Sequence, residues 1–145
     1  MKCSSLMKAD VECCRVDATV EEAAERMKKR NIGFMPVCAE GGAVIGTVTD
    51  RDLAIRVLGE RRDAPFTLVE EVMTPEVVSC SPDDELEVAE RLMEQYRKSR
   101  IVCVDDRSRP VGVISLSDIA LVEKGIRAAE ILQAVVAREA QVRVA

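Results

Sequence analysis

Two pairs of residues in this chain could do chemistry: Thr49 with Asp52, and, 66 residues on, Ser115 with Asp118. In each pair a hydroxyl precedes a carboxylate by three residues. Each closes a matching stretch, Gly46-Thr47-Val48-Thr49-Asp50-Arg51-Asp52 and Gly112-Val113-Ile114-Ser115-Leu116-Ser117-Asp118. Val48 and Ile114 suit a buried strand, and Thr49 or Ser115 suits the N-cap of a helix that follows it. The carboxylates then fall in the first helical turn, where the macrodipole favours negative charge. Beside unpaired backbone N–H groups, the hydroxyl could meet a phosphate and the carboxylate the two hydroxyls of a ribose. The same residues could equally do nothing but cap the helix. Their repetition at equivalent places weighs toward a ligand without excluding capping.

Other chemistries are thin. The chain has no histidine, so Ser-His and Cys-His nucleophiles are excluded. Its six cysteines (Cys3, Cys13, Cys14, Cys38, Cys80, Cys103) form no C-x-x-C pair, and no metal site is expected. They read as reduced, mostly buried small hydrophobes without a disulfide, a redox pair being the alternative. The net charge of −5 argues against nucleic-acid binding. No apolar run is long enough for a membrane span and no secretory leader is evident, so a cytoplasmic, non-enzymatic protein is expected. With 48% apolar residues but only Phe34, Phe66 and Tyr96 aromatic, the core must be aliphatic.

The elements that must position the pairs are themselves repeated. A short strand is expected in Val11–Val16, then a helix capped by Thr19 and Glu22, with Val20, Ala23, Ala24 and Met27 inward. Asn31 or Gly33 ends that helix. A hairpin of Phe34–Cys38 and Ala43–Val48 follows, then a second helix through Leu53–Leu58 stopped by Gly59. After the polar loop 59–65 the order recurs, with Ser81 expected as N-cap and Pro82 at the first helical position. Identities at the single offset include Met7/Met73, Cys14/Cys80, Ala23/Ala89, Met27/Met93, Gly46/Gly112 and Asp52/Asp118. The expected fold is α+β, with tandem β-α-β-β-α repeats over residues 1–62 and 63–122 and a helical tail over 123–145. In the tail, Ile126, Ala129, Leu132, Val136 and Ala140 form the apolar stripe, which wants either its own domain or another subunit as partner.

The tandem units ending in Gly46-x-x-Thr49-x-x-Asp52 and Gly112-x-x-Ser115-x-x-Asp118 resemble a pair of CBS domains, the Bateman module. The resemblance implies pseudo-two-fold symmetry, two related clefts between the repeats, and a regulatory module that senses adenosine-containing ligands. AMP, ADP, ATP and S-adenosylmethionine are the candidates, with no obligatory cofactor. One cleft would hold Thr49 and Asp52 facing Asp84, Lys98, Ser99 and Arg100; the other would hold Ser115 and Asp118 facing Ala18, Ile32, Gly33 and Phe34. Arg100, beside Arg97 and Lys98, stands where some relatives carry a phosphate-contacting Arg, so the first cleft is expected to take the phosphate. With no catalytic or transmembrane domain in the sequence, the implied action is in trans on an unidentified protein, by a homodimer. The rival readings are a dimerisation module with empty clefts and a cysteine-based redox regulator.

Overall fold

The computed structural model describes the backbone of residues 1–143 and the side chains of residues 1–137. In chain order the elements are α1 (Cys3–Leu6), β1 (Cys14–Arg15), α2 (Val20–Arg30), β2 (Phe34–Cys38), β3 (Val44–Thr49) and α3 (Asp50–Asp52). A π-helical stretch, Leu53–Leu58, continues α3, and two short 3-10 turns, Ala64–Phe66 and Val69–Glu71, lead to β4 (Ser79–Cys80). Then come α4 (Leu86–Tyr96), β5 (Arg100–Val104), β6 (Pro110–Ser115), α5 (Leu116–Val122) and α6 (Ile126–Arg143). The α+β class and the repeated order are as expected.

Two compact units form. The first-repeat unit comprises Glu12–Val77 with Arg107–Pro110, and the second-repeat unit comprises Met1–Val11, Val78–Asp106 and Val111–Ala145. Each leader segment thus serves the repeat it does not precede in its own copy. Met1–Val11 packs with the second repeat, and residues 63–77 complete the first. The strand expected over Val11–Val16 is shorter, Cys14–Arg15, and Val11 belongs to the other unit.

In the first-repeat unit, β1 lies parallel to β2 and β2 antiparallel to β3, with Phe34 opposite Thr49. Val20, Ala23 and Met27 of α2 are buried against Met35, Val37 and Val48 of the sheet. Val69 and Val72 of the leader fill the same core. Thr19 and Glu22 form the expected reciprocal capping box. Asn31 takes the left-handed C-cap conformation at φ 52°, which asparagine tolerates.

The second-repeat unit repeats the arrangement with the sheet order β4-β5-β6. Its core holds Leu86, Ala89 and Met93 of α4 against Ile101, Ile114 and Ile119. Ser81 is not the cap of α4, however. Its amide donates to Asp84 Oδ2 at 2.8 Å and its carbonyl accepts from the Asp84 amide at 3.1 Å, closing a turn ahead of the helix. Glu85 then occupies the N-cap position, and its carboxylate binds Lys2 at 2.6 Å.

Two further expectations are corrected. The apolar stripe Ile126-Ala129-Leu132-Val136 faces outward, and Ala140 lies outside the described side chains. The face of α6 that packs on its own unit instead carries Ile131 and Val135, both buried in the core. Cys13 and Cys38 are joined by a disulfide rather than standing as free thiols. Cys13 immediately precedes β1, and Cys38 ends β2, the strand that lies parallel to it. Their Cα atoms are 6.5 Å apart, inside the range a disulfide spans.

Candidate functional site

In the first-repeat unit, β3 delivers Thr49 to the N-cap of α3. The Thr49 amide donates to Asp52 Oδ2 at 2.9 Å, and the Asp52 amide donates to Thr49 Oγ1 at 3.1 Å. Capping therefore occupies the hydroxyl and one carboxylate oxygen. The other oxygen, Oδ1, lies 3.9 Å from the Arg56 guanidinium. Arg56 also donates to the carbonyls of Val72 and Met73, at 2.8 and 3.1 Å, which ties the helix to the leader segment.

The strand edge beside this motif is Ile32-Gly33-Phe34. The Asp50 amide donates to the Gly33 carbonyl at 3.0 Å, and Phe34 pairs with Thr49. A Cβ on Gly33 would fall 2.6 Å from Asp50 Oδ2, so a side chain there would push into the helix start. The Ala18 carbonyl accepts from the Val69 amide at 2.8 Å, which fixes the loop before α2. Thr49, Asp52, Ala18, Ile32, Gly33 and Phe34 thus all belong to one unit.

Ser115, Asp118, Lys98, Ser99 and Arg100 all belong to the second-repeat unit, where Ser99 is bonded to the start of α5. The Leu116 amide donates to the Ser99 carbonyl at 2.8 Å, the counterpart of the Asp50–Gly33 bond. Asp118 Oδ2 accepts from the Ser115 amide at 2.9 Å and from the Ser115 hydroxyl at 2.6 Å. Its Oδ1 faces the Lys8 ammonium at 3.3 Å. Burial alone would push this carboxyl up. The Ser115 hydroxyl and amide and the Lys8 ammonium outweigh burial and hold it below the ordinary aspartate range. Asp84 spends a carboxylate oxygen on the Ser81 turn.

Lys8 and Arg56, the cations on the two carboxylates, were not singled out from the sequence. Arg56 was readable, because it stands four residues after Asp52 on one helix face. Lys8 was not, because it is brought to Asp118 by the exchange of leaders. The four free cysteines, Cys3, Cys14, Cys80 and Cys103, are buried. Burial pushes the Cys3 thiol up to about 12 and raises that of Cys14, which leaves them poor nucleophiles. Among the described residues no cluster of His, Cys, Asp or Glu could hold a metal ion, and no helix is long and apolar enough to cross a membrane.

A family model described as the CBS domain matches this chain twice, over residues 3–59 and 69–125. The chain belongs to the CBS domain family. It is 40% identical over 115 residues to the CBS domain-containing protein YhcV of Bacillus subtilis, covering 79% of this chain and 80% of that one. In structure it is similar to the CBS domain pair of protein MJ0100 in complex with 5-methylthioadenosine and S-adenosyl-L-methionine. There the TM-score is 0.75 at 25% identity, over 84% of this chain and 94% of that one. It also shares its fold with the CBS domain protein PAE2072 of Pyrobaculum aerophilum complexed with AMP. The TM-score is 0.76 at 22% identity, over 92% of this chain and 98% of that one.

Proposed function

We propose that this CBS pair is a regulatory module that binds an adenosine-containing ligand and acts on a partner protein. The observation that carries the reading is the repeated placement of a hydroxyl and a carboxylate at a strand-to-helix junction, each carboxylate keeping Oδ1 for a partner beyond its own cap. That oxygen suits the two hydroxyls of a ribose. The adenosyl ligands of the two similar structures support the same class of molecule. Catalysis has no place in the reading, because both hydroxyl-carboxylate pairs are engaged in capping their helices.

The phosphate end is assigned to the second repeat. The resemblance alone would pair Lys98–Arg100 with Thr49 and Asp52. The bond from Leu116 to Ser99 favours Ser115 and Asp118 as their neighbours instead. In this reading Asp118 takes the ribose and Arg100 takes phosphate, joined by the Ser115 hydroxyl once it turns away from Asp118 Oδ2. Ala18, Ile32, Gly33 and Phe34 flank the more apolar counterpart at Thr49 and Asp52.

Calorimetric titration with AMP, ADP, ATP and S-adenosylmethionine tests the proposal. A charge-assisted hydrogen bond is worth about 1.5–3 kcal/mol, so Asp118→Ala and Arg100→Ala should each weaken adenylate binding about 10- to 100-fold. Ligand at 100 times its Kd should stabilise the fold by about 2.7 kcal/mol, a rise of roughly 5–11 °C in Tm. Loss of binding in Asp52→Ala but not in Asp118→Ala would return the phosphate to the cross-repeat pairing. Heats absent for all four ligands would leave the module as a scaffold.

A further inference from the structure

Each of the two carboxylates that the adenosyl-binding reading assigns to ribose meets a cation, and the two cations are held differently. Arg56 lies in the π-helical stretch just beyond Asp52, tied down by the carbonyls of Val72 and Met73 at 2.8 and 3.1 Å. Its guanidinium stays 3.9 Å from Asp52 Oδ1. Lys8 comes instead from the leader. Its amide donates to the Val113 carbonyl at 2.9 Å, and its carbonyl accepts from the Val113 amide at 3.1 Å. That bridge fixes the Lys8 backbone beside β6, close to Ser115 in the strand. The side chain beyond it is 75% exposed, yet its ammonium lies 3.3 Å from Oδ1 of Asp118, whose own side chain is 10% exposed.

The internal repeat supplies a comparison. Thr74 is the first-unit counterpart of Lys8, and it makes the same bridge, to Thr47. One leader position therefore presents a short hydroxyl in one unit and a long cation in the other. Val122 in turn stands at the counterpart of Arg56. The Asp118 site thus has an ammonium on a flexible stem where the Asp52 site has a tethered guanidinium.

A ribose that takes Asp118 Oδ1 must displace the Lys8 ammonium from it. Adenosine offers nothing to replace the lost counter-charge. A 5′-phosphate does. The Ser115 hydroxyl, which joins Arg100 on the phosphate, starts on Oδ2 of the same carboxylate, so the ammonium stands only a carboxylate's width away. We propose that Lys8 is the specificity-determining residue of the Asp118 site, selecting a 5′-phosphorylated adenosine over the uncharged nucleoside by passing from carboxylate to phosphate. This role rests on the adenosyl-binding reading, since both place ribose at Asp118. Lys8 then acts on the two ligands with opposite sign. It competes with the ribose of adenosine for Oδ1, and it gives the phosphate of AMP a charge-assisted hydrogen bond.

Calorimetric titration of the natural protein, Lys8→Thr and Lys8→Arg with AMP and with adenosine reads this role. Lys8→Thr installs the residue type that the first unit carries at the equivalent bridge, and it replaces an exposed side chain on a backbone pairing that threonine suits. In that variant AMP should bind about tenfold more weakly and adenosine severalfold more tightly, so the preference for AMP collapses. Lys8→Arg keeps the charge and should keep most of the preference. An AMP-to-adenosine affinity ratio that Lys8→Thr leaves unmoved overturns the role of Lys8 and leaves the adenosyl site standing. A loss of preference as large in Lys8→Arg as in Lys8→Thr overturns it too, because charge would then not be what selects. Heat from neither ligand in the natural protein overturns the adenosyl-binding reading and this role with it.

Discussion

Gly46 and Gly112 open the two capping motifs, and their surroundings differ. Both face the sulfur of a repeat-equivalent methionine: a Cβ would fall 2.7 Å from Met73 Sδ at Gly46 and 2.4 Å from Met7 Sδ at Gly112. At Gly46 the Thr74 carbonyl oxygen also stands 2.8 Å away, held by the bridge between Thr47 and Thr74. Backbone cannot step aside as a methionine can. Gly46→Ala should therefore cost about 1–3 kcal/mol, as overpacking does, and Met73→Ala should relieve little of it. Gly112→Ala should be relieved more by Met7→Ala, which removes the two nearest atoms, Sδ and Cγ, and leaves Met7 Cβ at 3.0 Å. Urea unfolding of both double-mutant cycles checks this, and equal coupling energies would contradict it. The disulfide is testable at the same scale. Alkylation in denaturant without reductant should modify the four free cysteines and, after reduction, all six. With its partners separated by 25 positions in the sequence, the Cys13–Cys38 link should contribute about 3.5 kcal/mol, read from the urea midpoint with and without reductant.

Among the elements, α2 and α4 are repeat partners that end differently. Asn31 closes α2 and Arg97 closes α4, both left-handed, at φ 52° and 54°. Arginine carries the Cβ penalty of that conformation and asparagine largely escapes it. Arg97→Asn should raise stability by up to about 1 kcal/mol, seen as a higher Tm; no change or a loss would show that the contacts Arg97 makes outweigh the backbone strain. The Thr19 box, the Asn31 cap and both strand-to-helix junctions were legible in the sequence because each is a pattern within four residues. The α6 orientation was not. Its apolar residues make two interleaved stripes, and the inward one, Ile131 and Val135, shares its face with Arg127, which pairs with Glu90 and Glu94 far away in the sequence. Nor was the Ser81 turn, whose Asp84 reaches back to the amide that a helix cap would have left open. The disulfide joins residues 25 positions apart on neighbouring segments, a contact that local sequence does not encode. At the site, the hydroxyl-carboxylate pairs were legible from their spacing, whereas their cations, one supplied by the exchanged leader, were legible only in part.

Over the whole molecule, apolar side chains remain in water in both units. Ile55, Leu58 and Phe66 are exposed in the first-repeat unit, and Leu121, Ile126 and Leu132 in the second. Isolated exposed residues are ordinary, but so many large ones are expected to be covered by a partner. Light scattering on the eluting protein should give twice the chain mass of 15.9 kDa, in line with a symmetric homodimer. A mass of one chain at micromolar concentration would leave these side chains uncovered. The exchange of leaders also makes the two copies depend on each other. Met7 and Met73 are the same residue type, and so are Gly46 and Gly112, and each methionine meets the glycine of the other copy. A solitary repeat of this shape could complete its core by trading arms with a second polypeptide, and a cut between the repeats of this chain would leave each half holding the other's arm.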